Sequence, residues 1–133
     1  MNIEYKSTNT TVSMIKYHFV FCPRYRRKIF NIHGLEDRFK QLVREICQEN
    51  DIEILTINCQ KDHVYMMVSV YPQTSIPDIM NCIKGITSRI LRDEFEKLKK
   101  MPSLWTKSYF VSTEESISDE MIQWYVNMQK TRY

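Results

Sequence analysis

Three sets of residues in the chain have the types and spacing to do chemistry. In Asp62-His63-Val64-Tyr65-Met66-Met67-Val68-Ser69-Val70-Tyr71 the even positions from Val64 are apolar and the odd positions carry His63, Tyr65, Ser69 and Tyr71. A period of two is a strand, whose successive side chains point to opposite faces. The valines and Met66 then cover a core, and His63 stands beside Tyr65 on the other face. An imidazole there can ligate a metal ion, with Asp62 beside it as the carboxylate that orients it. Near the C-terminus Tyr125 and Gln129 are one i,i+4 step apart on a helical face. A tyrosine hydroxyl can attack phosphorus if the phosphate is neutralised and a proton with a reference pKa of about 10 is removed. A divalent ion held by a histidine and an amide oxygen would do the first. The third set is Cys22-Pro23-Arg24-Tyr25-Arg26-Arg27-Lys28, where Arg24, Arg26, Arg27 and Lys28 surround Tyr25. Cations interleaved with an aromatic ring suit phosphates and a stacked base. Each set also has a structural reading: a histidine that merely begins a strand, a packed tyrosine, a solvated basic loop.

The elements that must position these groups follow from pattern. Ile15, Tyr17, Phe19 and Phe21 form the apolar face of a first strand, with His18 on the other face and Pro23 ending it. Leu35, Phe39, Leu42, Val43, Ile46 and Cys47 recur as one face of a helix over 35–50, and Ile52, Ile54 and Ile57 mark a second strand up to about Cys59. After the His63 strand, Ser75 caps a helix with Pro77 in its first turn and Asp78 three residues after the cap. That helix ends near Phe95 or Leu98, and Gly85 in its middle suggests a close approach to a neighbour. Leu104 to Val111 is β-prone, and Ser118 caps a last helix whose Ile117 can staple onto Ile122. The order βαββαβ plus a helix is the ferredoxin-like α+β pattern: an antiparallel sheet with helices on one face, and a C-terminal helix carrying Tyr125. In it the first and third strands are central neighbours, so His18 is expected near His63. The face with His63 and Tyr65 is expected to stay open.

The 133 residues make one domain, with residues 1–12 a loose polar arm. The longest apolar run, Phe19 to Cys22, is far below the ~20 residues of a membrane span, and no signal-peptide core follows Met1, so the cytoplasm is expected. Cys22, Cys47, Cys59 and Cys82 stand singly, without the pairs of a zinc knuckle or redox motif. Net charge is only +3, so any polyanion must be met by local clusters, and Lys84, Arg89 and Lys107 from a second basic region join Arg24 to Lys28 as candidate nucleic-acid contacts. With two glycines in the chain there is no phosphate-cradling loop, and no nucleotide cofactor is expected.

Five blocks, taken in order, resemble a known family: Tyr17 to Lys28, Asp62 to Tyr65, Lys84-Gly85 with Ser88-Arg89, Leu104 to Val111, and Tyr125 to Gln129. They look like the blocks of the TnpA family, the small single-tyrosine transposases of bacterial and archaeal insertion sequences in the HUH nuclease superfamily. The resemblance implies a homodimeric, metal-dependent endonuclease and strand transferase that cuts and rejoins single-stranded DNA at hairpins through a 5′-phosphotyrosine. It implies Tyr125 as nucleophile, His63 and Gln129 as ligands of Mg²⁺ or Mn²⁺, and a tyrosine helix that often completes the partner's site. The chain departs from the family at Tyr65, where the second histidine of the His-hydrophobic-His pair would stand. Tyr65 itself or His18 then becomes the candidate replacement ligand. The alternative is a domesticated, catalytically weak protein that binds hairpin DNA or RNA as a regulator.

Overall fold

The computed structural model describes residues 5–7 and 12–129. Four strands form the main antiparallel sheet: β3 (Ile15–Phe21), β4 (Glu53–Gln60), β5 (His63–Val70) and β6 (Phe110–Ser112), in the spatial order β4-β5-β3-β6. Two short strands, β1 (Lys6–Ser7) and β2 (Val12–Ser13), pair with each other. Of the stretch 1–12 expected to be a loose arm, residues 6–7 and 12 take part in this pairing, and residues 1–4 and 8–11 lie outside the described residues.

The long central strands form because their patterns satisfy the sheet on both sides. Phe19 and Phe21 of β3, with Val64, Met66, Val68 and Val70 of β5, point to one face and are buried. Against them lie α1 (Leu35–Glu49), through Phe39, Leu42, Val43 and Ile46, and α2 (Ile76–Glu94), through Ile79, Met80, Ile83 and Leu91. Each such side chain contributes about 1.5–3 kcal/mol by leaving water. The caps expected at Ser75 and Ser118 form, the first accepting from the Asp78 N–H and the second from the Met121 N–H. At the other end α2 stops at Glu94, with Phe95 as its cap. Gly85 is not at a close approach, since a Cβ there would meet nothing within 4 Å.

The strand expected over Leu104 to Val111 is only three residues long, because its first half bonds elsewhere. The Leu104 N–H donates to Ser88 Oγ, Trp105 Nε1 to Thr87 Oγ1 at 2.9 Å, and the Thr106 N–H to the Cys22 carbonyl. Arg92 donates to the Met101 and Pro102 carbonyls. Trp105 thereby packs edge-on against Phe21, with ring centroids 5.0 Å apart. The segment is a strap across α2 before it becomes β6.

The second sheet face does not stay open. The last helix, α3 (Asp119–Asn127), lies on it, burying Tyr125 and Val126 against Val20 and Cys22, with Tyr65, Phe110, Ile117 and Ile122 around them. Its other side leaves Met121, Trp124 and Met128 exposed. No described helix is long and apolar enough to cross a membrane.

Candidate nucleic-acid site

His63 begins β5 with its ring almost fully buried. Its Nδ1 lies 3.0 Å from Asp62 Oδ1, and the other carboxylate oxygen takes two donors from Arg26, at 3.3 and 3.1 Å. Burial pushes the Asp62 carboxyl up, but the bonds from His63 and Arg26 outweigh it and hold the group below its usual range. An ionised carboxylate only accepts, so the neutral ring carries its proton on Nδ1 and its lone pair on Nε2. This is the arrangement that prepares a histidine as a ligand.

Tyr65 follows on the same face, and its hydroxyl is 2.7 Å from His18 Nδ1. His18 Nε2 is 2.8 Å from the Glu114 carbonyl, which can only accept. In the neutral ring Nε2 therefore donates, Nδ1 accepts, and the Tyr65 O–H is the donor. Burial raises the Tyr65 phenol above its ordinary value, so it stays protonated. The antiparallel register pairs Val20 with Tyr65 and His18 with Met67, which brings His18 to Tyr65 and not to His63 as the sequence suggested.

Tyr125 and Gln129 meet a different part of the chain from His63. The Tyr125 hydroxyl is 2.7 Å from Ser108 Oγ, which is 3.1 Å from Gln129 Oε1. Burial raises the Tyr125 phenol, partly offset by its bonds to Ser108 and Thr106. Gln129 lines a groove of about 490 Å³ with Arg24, Tyr25, Lys107 and Ser108, whereas His63, Asp62, Tyr65 and Arg26 line a separate one of about 910 Å³ with Asp119 and Gln123. Within one chain, then, His63 and Gln129 do not share a cavity.

The donor set of a single chain does not fit a Mg²⁺ or Mn²⁺ ion. His63 offers one nitrogen, Tyr65 is a neutral phenol bonded to His18, both His18 nitrogens are engaged, and the Gln129 oxygen faces a different groove from His63. Among the described residues no three His, Cys, Asp or Glu side chains converge as a metal site. The expected pair of His63 and Gln129, and the reserve ligands Tyr65 and His18, are thus not assembled here.

The basic residues divide as well. Arg26 is tied to Asp62, and half-buried Lys84 donates to the Thr106 and Ser108 carbonyls, with burial lowering its pKa to about 8. Arg24 donates to Ser103 Oγ and lies over the Tyr25 ring, as does Arg27. Arg27, Lys28, Arg89 and Lys107 are exposed. Both Tyr25 and Arg26 have positive φ, 58° and 51°, a conformation that L residues adopt at a cost of about 1–2 kcal/mol each. The turn holds that strain while Arg26 meets Asp62. Ser108, which joins Tyr125 to Gln129, was not singled out from sequence; a lone serine in a β-prone run carries no signal of its own.

A ferredoxin-like sheet, with a buried Asp-His pair at the head of a central strand and a tyrosine-bearing helix folded on the same face, places the chain in the class of the IS200-like transposases. The chain belongs to that family, whose model matches residues 11–129. It is 29% identical over 130 residues to the ISDra2 transposase TnpA of Deinococcus radiodurans, covering 96% of this chain and 92% of that one. It is 33% identical over 102 residues to the transposase for insertion sequence element IS200 of Salmonella typhimurium, covering 74% of this chain and 66% of that one. Among solved structures it superposes, at a TM-score of 0.85 and 26% identity, on a crystal structure from Deinococcus radiodurans assigned as a transposase, covering 96% of this chain and 99% of that one. A REP-associated tyrosine transposase bound to a REP hairpin shares the fold at a TM-score of 0.59 and 8% identity, covering 92% and 68%.

Proposed function

We propose that this transposase-family chain cleaves and rejoins single-stranded DNA beside hairpins, with Tyr125 as nucleophile. The observation that carries the reading is the place of the Tyr125 hydroxyl, bonded to Ser108 beside a groove lined by Arg24, Tyr25, Lys107 and Gln129. Cations there neutralise a phosphate, and an aromatic ring accepts a base. In the reaction the phenol oxygen attacks phosphorus and loses its proton to solvent. The P–O3′ bond breaks, and the 3′ oxygen leaves as a hydroxyl after taking a proton from water. A 5′-phosphotyrosine then conserves the diester, so a 3′ hydroxyl can reverse the step without a nucleotide. The hairpin held by the REP-associated relative supports a hairpin substrate.

His63, on the far side of α3, would serve a second copy's tyrosine helix. The homodimer is supported by the exposed Met121, Trp124 and Met128 and by the edge strands β4 and β6. A divalent ion, Mg²⁺ or Mn²⁺ by the resemblance, would need His63 Nε2 plus oxygens from outside this chain. The regulator reading is favoured by one observation, the phenol of Tyr65 in the place of an imidazole. Incubating the protein with a hairpin-bearing single strand and with the same sequence as a duplex separates the two. Cleavage of the single strand alone, with a free 3′ hydroxyl, is expected; tight hairpin binding without cleavage under any divalent ion would establish the regulator.

A further inference from the structure

Ser108 belongs to no helix or strand, yet its one hydroxyl meets two of the residues that the proposed reaction needs. The direction of each bond can be worked out. Gln129 Nε2 donates to the Tyr125 carbonyl at 3.0 Å, which fixes the amide and leaves Oε1 facing Ser108. An amide oxygen only accepts, so the single Ser108 proton goes to Gln129. The Tyr125 O–H must then donate to Ser108 Oγ, at 2.7 Å. The three side chains form a one-way run, from the phenol to the serine to the amide.

The run is anchored from beneath. Lys84 Nζ donates to the Thr106 and Ser108 carbonyls, and Thr106 Oγ1 also donates to the Ser108 carbonyl, at 3.2 Å. Trp105, one residue before Thr106, is pinned to Thr87 in the core. The strap is thereby held in place at the point where it meets the phenol of α3.

We propose that Ser108 is a positioning residue for Tyr125: it accepts the phenol's hydrogen bond, fixes the rotation of its hydroxyl, and couples it to Gln129 at the mouth of the Arg24, Tyr25 and Lys107 groove. This rests on the reading of Tyr125 as nucleophile, and it adds a residue outside the tyrosine helix to the reacting unit. Without the serine hydroxyl the phenol keeps only its bond to Thr106, its link to Gln129 is broken, and the Gln129 oxygen loses its donor.

The test compares wild type, Ser108→Ala and Ser108→Thr, with tyrosine labelled with ¹³C at the carbon bearing the hydroxyl and the Tyr125 signal assigned by its absence in Tyr125→Phe. Ser108→Ala should shift the Tyr125 signal and, at saturating hairpin, slow the formation of protein-linked DNA roughly tenfold, the worth of one hydrogen bond of orientation. Ser108→Thr, which keeps the hydroxyl, should restore both signal and rate. Because Ser108 is exposed, the alanine variant should melt close to wild type, which circular dichroism checks. A Tyr125 signal unchanged in Ser108→Ala, or a rate equal to or above wild type, would overturn the proposal. If wild type itself forms no linked DNA, the nucleophile reading fails by itself, and the Tyr125 signal still decides whether Ser108 holds the phenol.

Discussion

Arg26 and Arg27 are neighbours in one basic turn, and the structure gives them different tasks, so replacing each alone should produce opposite phenotypes. Arg26 makes two bonds to Asp62, a residue only 8% exposed. Arg26→Ala removes them and leaves a buried carboxylate facing His63 alone. Bonds to a charged group are worth about 1.5–3 kcal/mol, and the Arg26 side chain is a quarter exposed, so a loss of about 2 kcal/mol is expected. For a domain of this size that lowers Tm by roughly 6–10 °C. Arg26→Gly loses the same bonds but relieves the positive φ of 51°, so it should be about 1 kcal/mol less destabilising than the alanine variant. Neither should change the salt dependence of hairpin binding, because that guanidinium is committed to Asp62. Arg27→Ala should leave Tm within about 1 °C and, if Arg27 contacts one phosphate, reduce the slope of log K against log salt by roughly 0.7–0.9. Thermal melts and binding titrations at several salt concentrations read both quantities. The reasoning is refuted if Arg26→Ala flattens the salt slope by that amount while Tm stays put.

Tyr65→His should raise Mn²⁺ affinity measured by calorimetry, because an imidazole replaces a protonated phenol beside His63; no gain would mean the His63 groove is not a metal site. Lys84 gives a pH signature. Its folded pKa of about 8 lies below the unfolded 10.5, so between those values the unfolded chain holds more protons and stability rises with pH. Cys22, Cys47 and Cys59, pushed up to about 12 by burial, act in the opposite sense above pH 9, so the contribution must be taken as wild type minus Lys84→Met. That difference should grow from pH 8 to 10.5, and a flat difference would show that the ammonium is not penalised by burial. Trp124→Glu, on a residue 57% exposed, should shift light scattering from dimer toward monomer without lowering the monomer's stability by more than about 0.5 kcal/mol. An unchanged mass would place the dimer contact elsewhere.

What could be read from the sequence was whatever depends on local pattern. The two-residue period after His63, the helical face from Leu35 to Cys47, and the caps at Ser75 and Ser118 all recur in the structure. The order of central strands followed from topology, and the Asp62 bond to His63 from adjacency. What was not legible depends on contacts between distant segments. Nothing near Leu104 says that its N–H will find Ser88 in place of a ladder partner, sixteen residues away. The pairing of His18 with Tyr65 spans 47 residues, and that of Arg26 with Asp62 spans 36. The folding of α3 over the expected open face was hidden for a related reason: Val20, Cys22 and Val126 are apolar on the side that the alternation assigned to solvent.

The central claim is that Tyr125 joins covalently to DNA, and one experiment addresses it directly. A hairpin-bearing single strand, labelled on the 3′ side of the cleavage point, is incubated with Mn²⁺ and the protein and then run on a denaturing gel. The account predicts a labelled band at the size of the protein, absent in Tyr125→Phe although that variant still binds the hairpin, since it lacks only a hydroxyl. A band that persists in Tyr125→Phe would contradict it, as would a wild type that binds the hairpin and forms no linked product with any divalent ion.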